Sequence, residues 1–600
     1  MSATASPAPK EQSSSDSTDL QNAVIRFAGN SQDGIQTIGG FLAKLAGRSA
    51  REVMTYMTIP STISGGPSIF QVHLGSGEVL SPGDEADFLV AFYQHSYDNH
   101  INSLRDGGVC IYDADNVEPT VNERDIQHVG IPITSTTVEA LGGSTRERGK
   151  NLFVLGLVTQ LFKLDHDKVV ALIERQFGRK GDDVIRNARL AFDAGYAYQL
   201  GSDIIKQSYA LRAGASVDKD RITTDGNTAL MYGLIAGGIR FGAGYPITPW
   251  SSIMEGLRTE LPKYGGLFVQ AEDELAAVSM ALGFSYAGHL AVTGSSGPGL
   301  SLKMEALSYA VMAELPLVVI NVQRGGPSTG APTKTEQGDL LQVLFGRNGE
   351  SPVPVIAPAT PADCFETAVE AVRWAIRAMS PVIILSDGYL ANGAEPWAIP
   401  DPEALEPIPV AHPSNLASQN GAAEPFLPYK RNPETLARPW ALPGTQGLEH
   451  RIGGLSKAPE TGNVSYDPQH NEQMNRERAE KVRRLTDIIP PIEVEGDADG
   501  DLLVLSWGST FGAAKRAVEN CRKAGRRIAH VHLRYINPMP KDLGEVLSRF
   551  DKVLLPEVNG GQMALLIQGR YGRPVISVPK LTARPFQVGE IVEHIEAALA

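Results

Sequence analysis

The fold is decided by the stretch Leu317-Val318-Val319-Ile320-Asn321-Val322-Gln323-Arg324-Gly325-Gly326-Pro327. A short apolar run that is rich in β-branched residues and bounded by turn residues is typical of a strand buried on both faces of a parallel sheet. The run ends in an arginine and a glycine loop, so a charged side chain follows the strand directly. A similar apolar run at residues 382–385 predicts a neighbouring strand. The surrounding sequence therefore predicts an α/β fold with a parallel sheet.

The alternation of strands and helices extends toward both ends of the chain. Upstream, a strand at residues 23–28, a glycine loop at 29–34 and a following helix predict a separate, mostly parallel α/β domain. Nearer the centre, Asn227 is predicted to cap a helix over residues 229–236. Downstream, a strand at 502–506 opens a last series of alternating helices and strands.

We therefore predict a multi-domain α/β protein, because 600 residues are too many for one hydrophobic core. The predicted parts are a mobile tail at 1–20, an α/β domain at 21–205, a second at 206–395, a proline-rich strap and helix at 396–495 and a third α/β domain at 496–600. Eleven of the 40 prolines lie between residues 396 and 443, which argues against helix or central strand there. Such a long segment either crosses the surface of a partner domain or acts as a linker.

The composition is that of an ordinary globular protein and argues against several classes of partner. Apolar residues make up 42% of the chain and charged residues 20%. The formal net charge of −14 opposes attraction to nucleic acid or to an anionic membrane. No apolar run is long enough to span a bilayer, and the first residues lack the pattern of a secretion signal. We therefore expect a cytoplasmic protein.

The three cysteines, Cys110, Cys364 and Cys521, are too far apart in sequence to imply a disulfide framework or a close-spaced metal site. A [4Fe–4S] cluster ordinarily needs four thiolates, so any iron–sulfur chemistry would belong to another chain. We predict that each cysteine is a small, buried, apolar residue.

Four motifs in the second predicted domain carry the candidate chemistry. The first, Tyr245-Pro246-Ile247-Thr248-Pro249, places the Thr248 hydroxyl between two prolines that restrict the backbone. The same residues also fit a helix start with Thr248 as N-cap and Pro249 in the first turn. The second motif, Gln270-Ala271-Glu272-Asp273-Glu274, places three carboxylates before an apolar helix. These acids either stabilise the helix by interacting with the positive end of its dipole or offer a proton-transferring group to a heterocyclic ligand.

The other two motifs also follow predicted strands. Thr293-Gly294-Ser295-Ser296-Gly297-Pro298-Gly299 joins a strand to a helix, so its N–H groups either face an anion or serve a tight turn. Arg324, followed by Gly325 and Gly326, can hold a carboxylate through two parallel hydrogen bonds or pair with a nearby acidic side chain. Ligands of parallel α/β sheets bind beyond the carboxyl ends of the strands, and the motifs are predicted to converge there.

In order and spacing, these motifs, the last extending as Gln323-Arg324-Gly325-Gly326-Pro327-Ser328-Thr329-Gly330, resemble the α subunit of the 2-oxoacid:ferredoxin oxidoreductases. The resemblance is closest to the 2-oxoglutarate members. Residues 22–200 resemble the γ domain of that family, and residues 500–600 resemble its transketolase C-terminal-like domain. The resemblance implies a thiamine-diphosphate enzyme that interconverts 2-oxoglutarate, CoA and oxidised ferredoxin with succinyl-CoA, CO₂ and reduced ferredoxin, with the carboxylating direction of a reductive cycle also allowed.

The resemblance also implies roles for individual residues. Glu272 matches the catalytic glutamate that contacts the aminopyrimidine ring of the cofactor. Thr248 matches the hydroxyl near the reacting carbonyl, and Arg324 matches the arginine that anchors the substrate carboxylate. The segment Tyr245-Pro246-Ile247, together with Glu272, matches the cofactor-binding part of the family's α chain.

Half of the expected site is missing from this sequence. Thiamine-diphosphate enzymes usually bind magnesium and diphosphate with a Gly-Asp-Gly pattern and a later Asn. The nearest segment, Gly496-Asp497-Ala498-Asp499-Gly500, breaks that pattern and is predicted to be a turn. The resemblance therefore implies a β subunit that holds the diphosphate, Mg²⁺ and a [4Fe–4S] cluster. It also implies an α₂β₂ assembly whose partners are ferredoxin, a 2-oxoacid and CoA, with no metal ligand on this chain.

Three features depart from the family pattern or have no assigned role. Trp250 replaces the serine of many relatives, which predicts either a narrower pocket or a changed access to it. The loop Gly29-Asn30-Ser31-Gln32-Asp33-Gly34 differs from typical γ domains and serves either CoA contact or, as we expect, domain packing. The turn Glu557-Val558-Asn559-Gly560-Gly561-Gln562 has no function that the sequence indicates.

Three alternative functions stay open at this point. Pyruvate and branched-chain or aryl 2-oxoacids compete with 2-oxoglutarate, because the groups that bind the far end of the substrate can lie on the partner chain. A non-catalytic scaffold subunit belongs to a different class. A transketolase-type or acetoin-forming enzyme would use the same cofactor without ferredoxin.

Overall fold

The computed structural model describes residues 17–47, 51–60, 65–120, 124–143, 149–199, 208–211, 220–414 and 425–600. Most of the tail predicted at 1–20 lies outside the described residues. The chain forms two compact units. Unit 1 comprises Met1–Val53, Ser64–Val79 and Glu85–Asp218, and unit 2 comprises Met54–Ile63, Leu80–Asp84 and Lys219–Ala600. The finer boundaries at 395 and 495 stay predictions.

Eight strands and six helices begin in the described residues of unit 1. The strands are β1 (Ser17–Leu20), β2 (Asn22–Asn30), β3 (Glu52–Thr58), β4 (Pro67–Gly75), β5 (Ala86–Ala91), β6 (Leu104–Asp113), β7 (Gln127–Ile131) and β8 (Ser208–Leu211). The helices are α1 (Ile35–Gly47), α2 (Gln94–His100), α3 (Ile133–Ala140), α4 (Lys150–Leu161), α5 (His166–Phe177) and α6 (Asp182–Ala197).

The main sheet of unit 1 has the order β3-β4-β2-β5-β6-β7. The strands from β2 to β7 in this order are parallel, and β4 is antiparallel to β2. The expectation of a mostly parallel sheet is therefore confirmed. The glycine loop after β2 is packed: Asp33 accepts a hydrogen bond from the Tyr93 hydroxyl at 2.9 Å, and a side chain at Gly34 would collide with Asn151. These contacts support a packing role for the loop, and a CoA contact there remains only a hypothesis.

Unit 2 is larger. Its strands are β9 (Arg221–Asp225), β10 (Phe241–Gly244), β11 (Leu267–Gln270), β12 (Ala291–Ser295), β13 (Leu317–Gln323), β14 (Val355–Ile356), β15 (Pro381–Asp387), β16 (Ala394–Ala398), β17 (Glu495–Gly496), β18 (Gly500–Trp507), β19 (Ile528–Leu533), β20 (Tyr535–Asn537), β21 (Phe550–Glu557) and β22 (Ile576–Pro579). Its helices are α7 (Gly226–Ala236), α8 (Ser251–Glu260), α9 (Glu274–Tyr286), α10 (Gly297–Ala313), α11 (Leu340–Phe345), α12 (Asp363–Ala378), α13 (Gly388–Asn392), α14 (Pro468–Arg483), α15 (Phe511–Lys523), α16 (Leu543–Ser548), α17 (Gln562–Tyr571) and α18 (Val588–Leu599).

Two parallel sheets organise unit 2. The first has the order β11-β10-β12-β13-β15-β14-β20, and only β20 runs antiparallel to its neighbour. The second has the order β17-β19-β18-β21-β22, in which only β17 is antiparallel. All seven residues of β13 are buried, as its uninterrupted apolar pattern predicts.

One hydrophobic core joins the two sheets of unit 2. Leu307 and Val311 of α10 belong to the same buried cluster as Leu505 of β18 and Leu555 of β21. Moreover β20, whose sequence lies between β19 and β21, completes the first sheet by pairing with β14. The last hundred residues therefore fold together with the first sheet and share its interior.

The proline-rich strap is held on the surface of unit 2. The Trp440 indole donates to the Ser285 carbonyl at 2.9 Å, and His412 bonds the Trp440 carbonyl. Arg431 forms two hydrogen bonds with the Glu314 carboxylate, at 2.6 and 2.8 Å. The alternative of a free linker is therefore wrong for the described part of the strap.

Two expectations about whole-chain properties can be compared with the structure. No helix in the described part of the chain has the length and apolar character needed to cross a membrane. Cys110, Cys364 and Cys521 are buried and unpaired, and burial raises the pKa of the Cys110 thiol to about 12. The prediction of small buried cysteines is confirmed.

Candidate functional site

The predicted motifs meet at one edge of the first sheet of unit 2. Strands β10, β11, β12 and β13 are parallel, so their carboxyl ends share an edge. Tyr245 follows β10, Glu272 follows β11 by one residue, Ser296 follows β12 and Arg324 follows β13. This is the edge where parallel α/β sheets bind ligands.

The segment after β10 presents Thr248 to solvent. Thr248 and Tyr245 are exposed, and Ile247 is half-buried. The hydrogen bond from the Ala271 N–H to the Gly244 carbonyl, at 2.9 Å, places this segment beside Glu272. Helix α8 begins only at Ser251, with Trp250 at the N-cap position. The alternative in which Thr248 caps this helix is therefore wrong.

Asn227, which sequence reasoning placed at a helix cap, instead supports the Thr248 segment. The cap of α7 is Asp225, whose carboxylate accepts from the Thr228 N–H at 2.8 Å. The Asn227 amide donates to the Pro249 carbonyl at 2.9 Å and to the Ser252 hydroxyl at 2.7 Å. Asp225 is the N-cap of α7 because its carboxylate accepts a hydrogen bond from the free N–H of the first turn. The Asn227 amide is therefore available to bond the Pro249 carbonyl.

Trp250 does not narrow the pocket, contrary to the prediction. Its side chain is fully buried and lies beneath the backbones of Gly244 and Gly294. A side chain at Gly294 would approach the indole ring to 2.3 Å, so glycine is required there. Trp250 therefore supports the floor of the edge from inside the core and has no path to a ligand.

The three carboxylates after β11 have three different environments. Asp273 caps α9 by accepting from the Ala276 N–H at 2.7 Å. Glu274 is buried, and its carbonyl accepts from Lys303, whose pKa is lowered to about 8 by burial although Glu274 and Asp273 oppose that shift. Glu272 is exposed, and no described residue forms a hydrogen bond or ion pair with its carboxylate. The helix-dipole alternative thus applies to Asp273, which lies at the N-terminus of α9, and Glu272 is available to a ligand.

The glycine turn after β12 serves close packing. A side chain at Gly299 would come within 2.0 Å of the Ser295 hydroxyl and 2.5 Å of the Glu274 carboxylate. A side chain at Gly297 would come within 3.0 Å of the Asp339 carboxylate. The start of α10 is therefore already faced by protein acids, which favours the tight-turn alternative over an open anion site.

Arg324 is buried at the same edge and bonds main-chain carbonyls. Its guanidinium donates to the Thr248 carbonyl at 2.9 Å and to the Thr329 carbonyl at 2.8 Å, and its Nε atom has no partner. Burial lowers the pKa of this guanidinium, and the charge of Asp339 opposes the shift. No described carboxylate lies at ion-pair distance, so the alternative of a local acidic partner is wrong. Arg324 and Thr248 are joined directly.

Lys334 adds a cation that sequence reasoning missed. Its carbonyl accepts from the Gly325 N–H at 2.9 Å, so it lies next to Arg324 across the glycine loop. Burial lowers the pKa of the Lys334 ammonium, and the positive Arg584 lowers it further. The sequence signal for this cation is the polar run from Thr333 to Gln337, which lies outside the four motifs. The edge is therefore acidic at Glu272, and around the Arg324 loop it carries the cations Arg324 and Lys334 together with the acids Glu336 and Asp339.

Comparison with known proteins agrees with this arrangement. Residues 232–465 match the family described as pyruvate flavodoxin/ferredoxin oxidoreductase, thiamine diP-bdg, and residues 24–198 match pyruvate ferredoxin/flavodoxin oxidoreductase. The chain is 42% identical to 2-oxoglutarate oxidoreductase subunit KorA of Mycobacterium tuberculosis, over 97% of this chain and 92% of that protein. It is 28% identical to the 2-oxoacid:ferredoxin oxidoreductase 1 subunit alpha of Aeropyrum pernix, over 96% of this chain and 97% of that protein.

A solved structure is also similar over nearly the whole chain. It is the 2-oxoglutarate:ferredoxin oxidoreductase from Magnetococcus marinus with 2-oxoglutarate, coenzyme A and succinyl-CoA bound. The TM-score is 0.89 at 33% sequence identity, and the match covers 97% of this chain and 100% of that one. Fold and site thus define an α/β oxidoreductase with a thiamine-diphosphate-binding region. The chain belongs to the 2-oxoacid:ferredoxin oxidoreductase family, which confirms the expectation drawn from the four motifs.

Proposed function

We propose that this chain is the α subunit of a thiamine-diphosphate-dependent 2-oxoglutarate:ferredoxin oxidoreductase. The complex interconverts 2-oxoglutarate, CoA and oxidised ferredoxin with succinyl-CoA, CO₂ and reduced ferredoxin. The observation that carries the proposal is Glu272, an exposed and unengaged carboxylate beside the Tyr245 segment in a thiamine-diphosphate-binding region. We assign 2-oxoglutarate as the substrate because the KorA relative and the Magnetococcus enzyme, both named for that substrate, are similar to this chain over almost its whole length.

The residues present fit one half of a thiamine-diphosphate site. A free acid at Glu272 can hydrogen-bond a ring nitrogen, and the exposed Tyr245 and Pro246 and half-buried Ile247 offer an apolar wall beside it. In the described part of the chain, no group of three or more His, Cys, Asp or Glu side chains is arranged to hold a metal ion. Asp273 is engaged as a helix cap, and the Asp339 carboxylate accepts a hydrogen bond from the Asn321 amide at 2.9 Å. We therefore assign the aminopyrimidine end of the cofactor to this chain and propose that another chain holds the diphosphate end.

Each residue then has a physical task. Bound thiamine diphosphate would supply the electron sink for decarboxylation. The Glu272 carboxylate would hold or accept the proton of a ring nitrogen of the bound cofactor. Thr248 offers its exposed hydroxyl to the reacting carbonyl, and Arg324 attracts the substrate carboxylate. Because Arg324 also donates to the Thr248 carbonyl, the two substrate-binding groups move as one.

A β subunit is proposed to complete the site. It would carry the diphosphate site, Mg²⁺ and a [4Fe–4S] cluster in an α₂β₂ complex that reduces ferredoxin in the cytoplasm. Supporting this, α9, which begins two residues after Glu272, exposes Leu275 (51%) and Met280 (42%), and α10 exposes Leu302 (50%). Apolar side chains grouped beside a half-built site are typical of a subunit interface.

The buried Arg324 guanidinium favours an anionic substrate, and a comparison of 2-oxoacids as substrates distinguishes the members of the class. In the complex co-purified with its partner, we expect CoA-dependent viologen reduction to be faster with 2-oxoglutarate than with pyruvate or a branched-chain 2-oxoacid. A site that pairs a second carboxylate rejects a substrate without one, because its cation is left unpaired. Faster turnover with pyruvate would overturn the substrate assignment.

A second experiment separates an enzyme from a scaffold subunit. Glu272→Gln keeps size and shape and removes the acid, so we expect kcat to fall by about 10²–10⁴-fold while assembly, measured by gel filtration, is unchanged. The matched control is Glu255→Gln, an equally charge-changing variant of an exposed acid on α8. Near-normal activity of Glu272→Gln would favour the scaffold.

A further inference from the structure

The turn Glu557–Gln562, whose role the sequence left open, occupies the ligand-binding position of the second sheet. Strand β18 lies between β19 and β21, so the chain leaves it first to one side and then to the other. The crevice beyond the carboxyl ends of the strands at such a reversal is where α/β domains bind ligands. The end of β18, at Trp507 and Gly508, and the turn after β21 form this crevice.

The crevice is filled by Gln337, which belongs to the segment that returns from the Arg324 loop. Its side chain is fully buried, donates to the Trp507 carbonyl at 2.9 Å and accepts from the Val558 N–H at 3.0 Å. Its backbone N–H donates to the Val558 carbonyl at 2.8 Å, and its carbonyl accepts from the Asn559 amide at 2.9 Å. Every polar group of Gln337 is therefore paired with the second sheet.

Neighbouring residues add hydrogen bonds between the second sheet and the segment that follows Gln337. The Gln562 amide donates to the Gly338 carbonyl at 2.7 Å and accepts from the Leu341 N–H at 2.9 Å. Asn559 also accepts from the Gln562 N–H at 3.0 Å, which keeps the turn in shape. Gly508 has a φ of +56°, and a side chain there would come within 2.6 Å of the Gln337 amide. We call Trp507, Gly508, Val558, Asn559 and Gln562 the clamp.

The segment around Gln337 is hydrogen-bonded to the residues on both sides of Arg324. After Arg324, the Gly326 N–H donates to the Glu336 carboxylate at 2.7 Å. Before Arg324, the Gln323 amide oxygen accepts from the Asp339 N–H at 3.1 Å. Glu336 and Asp339 flank Gln337 within a few residues, so a displacement of Gln337 is passed to the arginine through short, bonded links.

We propose that the clamp positions Arg324 for the substrate, and that Gln337 is the positioning residue through which it acts. The crevice of the second sheet holds the active-site loop in place of a ligand of its own. This inference rests on the proposed role of Arg324 in the function above. A carboxylate anchor must be placed within a fraction of an ångström, because small misplacements of a substrate cost large factors in rate.

The experiment compares a Gln337 variant and a clamp variant, each with Arg324 intact and with Arg324 replaced, in the complex of this chain with its partner subunit. We expect Gln337→Ala to raise KM for 2-oxoglutarate about tenfold while thiamine diphosphate binding, measured by fluorescence titration, is unchanged. Gln562→Ala, which removes a less buried side chain, should raise KM in the same direction and serves if Gln337→Ala does not fold. In the Arg324→Ala background, either variant should change KM less than about twofold, because coupled residues are not additive.

The control is Tyr535→Phe, which removes a 3.1 Å bond from the C-terminal segment to Glu370 on α12, away from the loop. It should leave KM unchanged. Two results would overturn the positioning role while leaving the proposed function intact. One is that Gln337→Ala or Gln562→Ala raises KM by the same factor with and without Arg324, and the other is that Tyr535→Phe raises KM as much as they do. An unchanged KM in Arg324→Ala itself would overturn both.

Discussion

The buried cluster at Glu314 allows a stability prediction to be worked from the structure. The Glu314 side chain is fully buried, and it contacts Arg431 at 2.6 Å and Lys481 at 2.6 Å, which are 7% and 2% exposed. Glu314→Gln removes the acid and leaves the buried Lys481 without a counter-charge, while Arg431 keeps its ion pair with Glu477. Removing one partner of a buried ion pair costs about 3–5 kcal/mol.

The pKa of Glu314 supports a similar magnitude. Burial alone would raise this pKa, but the charges of Lys481 and Arg431 outweigh it and lower the pKa to about 2. A difference from the ordinary 4.5 down to about 2, at about 1.4 kcal/mol per pH unit, corresponds to about 3 kcal/mol. Because the folded pKa is the lower one, this stability is complete above about pH 4.5 and is lost as the pH falls toward 2.

The assay is chemical denaturation of the purified protein at pH 7, with the transition of unit 2 followed by tryptophan fluorescence. The matched control is Glu480→Gln, whose carboxylate also pairs with two arginines, Arg483 at 2.6 Å and Arg484 at 3.1 Å, but on the surface. Solvent screens that pair, so its loss should cost under about 1 kcal/mol. If the two variants lost equal stability, the argument from burial would be refuted.

Three further predictions follow from other features. The three cysteines are buried, and burial raises the pKa of Cys110 to about 12 and that of Cys364 well above its ordinary value, so all three should resist a thiol reagent in the folded protein and react after denaturation; rapid reaction of the native protein would contradict this. Trp250→Ala should lower the free energy of unfolding by about 3–5 kcal/mol without changing the ratio of KM for 2-oxoglutarate to KM for pyruvate, since the indole faces the core. The complex with the partner subunit should contain iron while this chain purified alone contains none, as metal analysis can test; an iron-free active complex would favour a transketolase-type reaction.

Much of the fold was predictable because its signals are local. The run in β13 is apolar at nearly every position, which only a strand covered on both faces requires, and the structure buries all seven residues. The alternation of such runs with helices then predicts a parallel sheet and the edge where the motifs meet. What local patterns did not reveal is the shared interior of the two sheets, since β20 and β14 are almost 180 residues apart in sequence.

The convergence of the four motifs at one edge of the sheet was predictable from the sequence, whereas the surroundings of the individual residues were not. Asp273, Glu272 and Glu274 are chemically alike in sequence, and only burial separates the cap, the buried acid and the free acid. The helix start after Thr248 was misplaced because the Asn227 amide and the Arg324 guanidinium hold that backbone from distant parts of the chain. Gln337 could not be found at all, since its partner Trp507 lies 170 residues away.

The pairing of β20 with β14 also bears on how this protein can change through evolution. A mutation that ended translation near residue 495 would remove β20 and leave β14 as an open sheet edge, which invites aggregation. It would also remove Leu505 and Leu555, which pack in the same buried cluster as Leu307 and Val311 of α10. The C-terminal segment is therefore an integral part of the first sheet and its core, and its loss would expose both a strand edge and apolar surface.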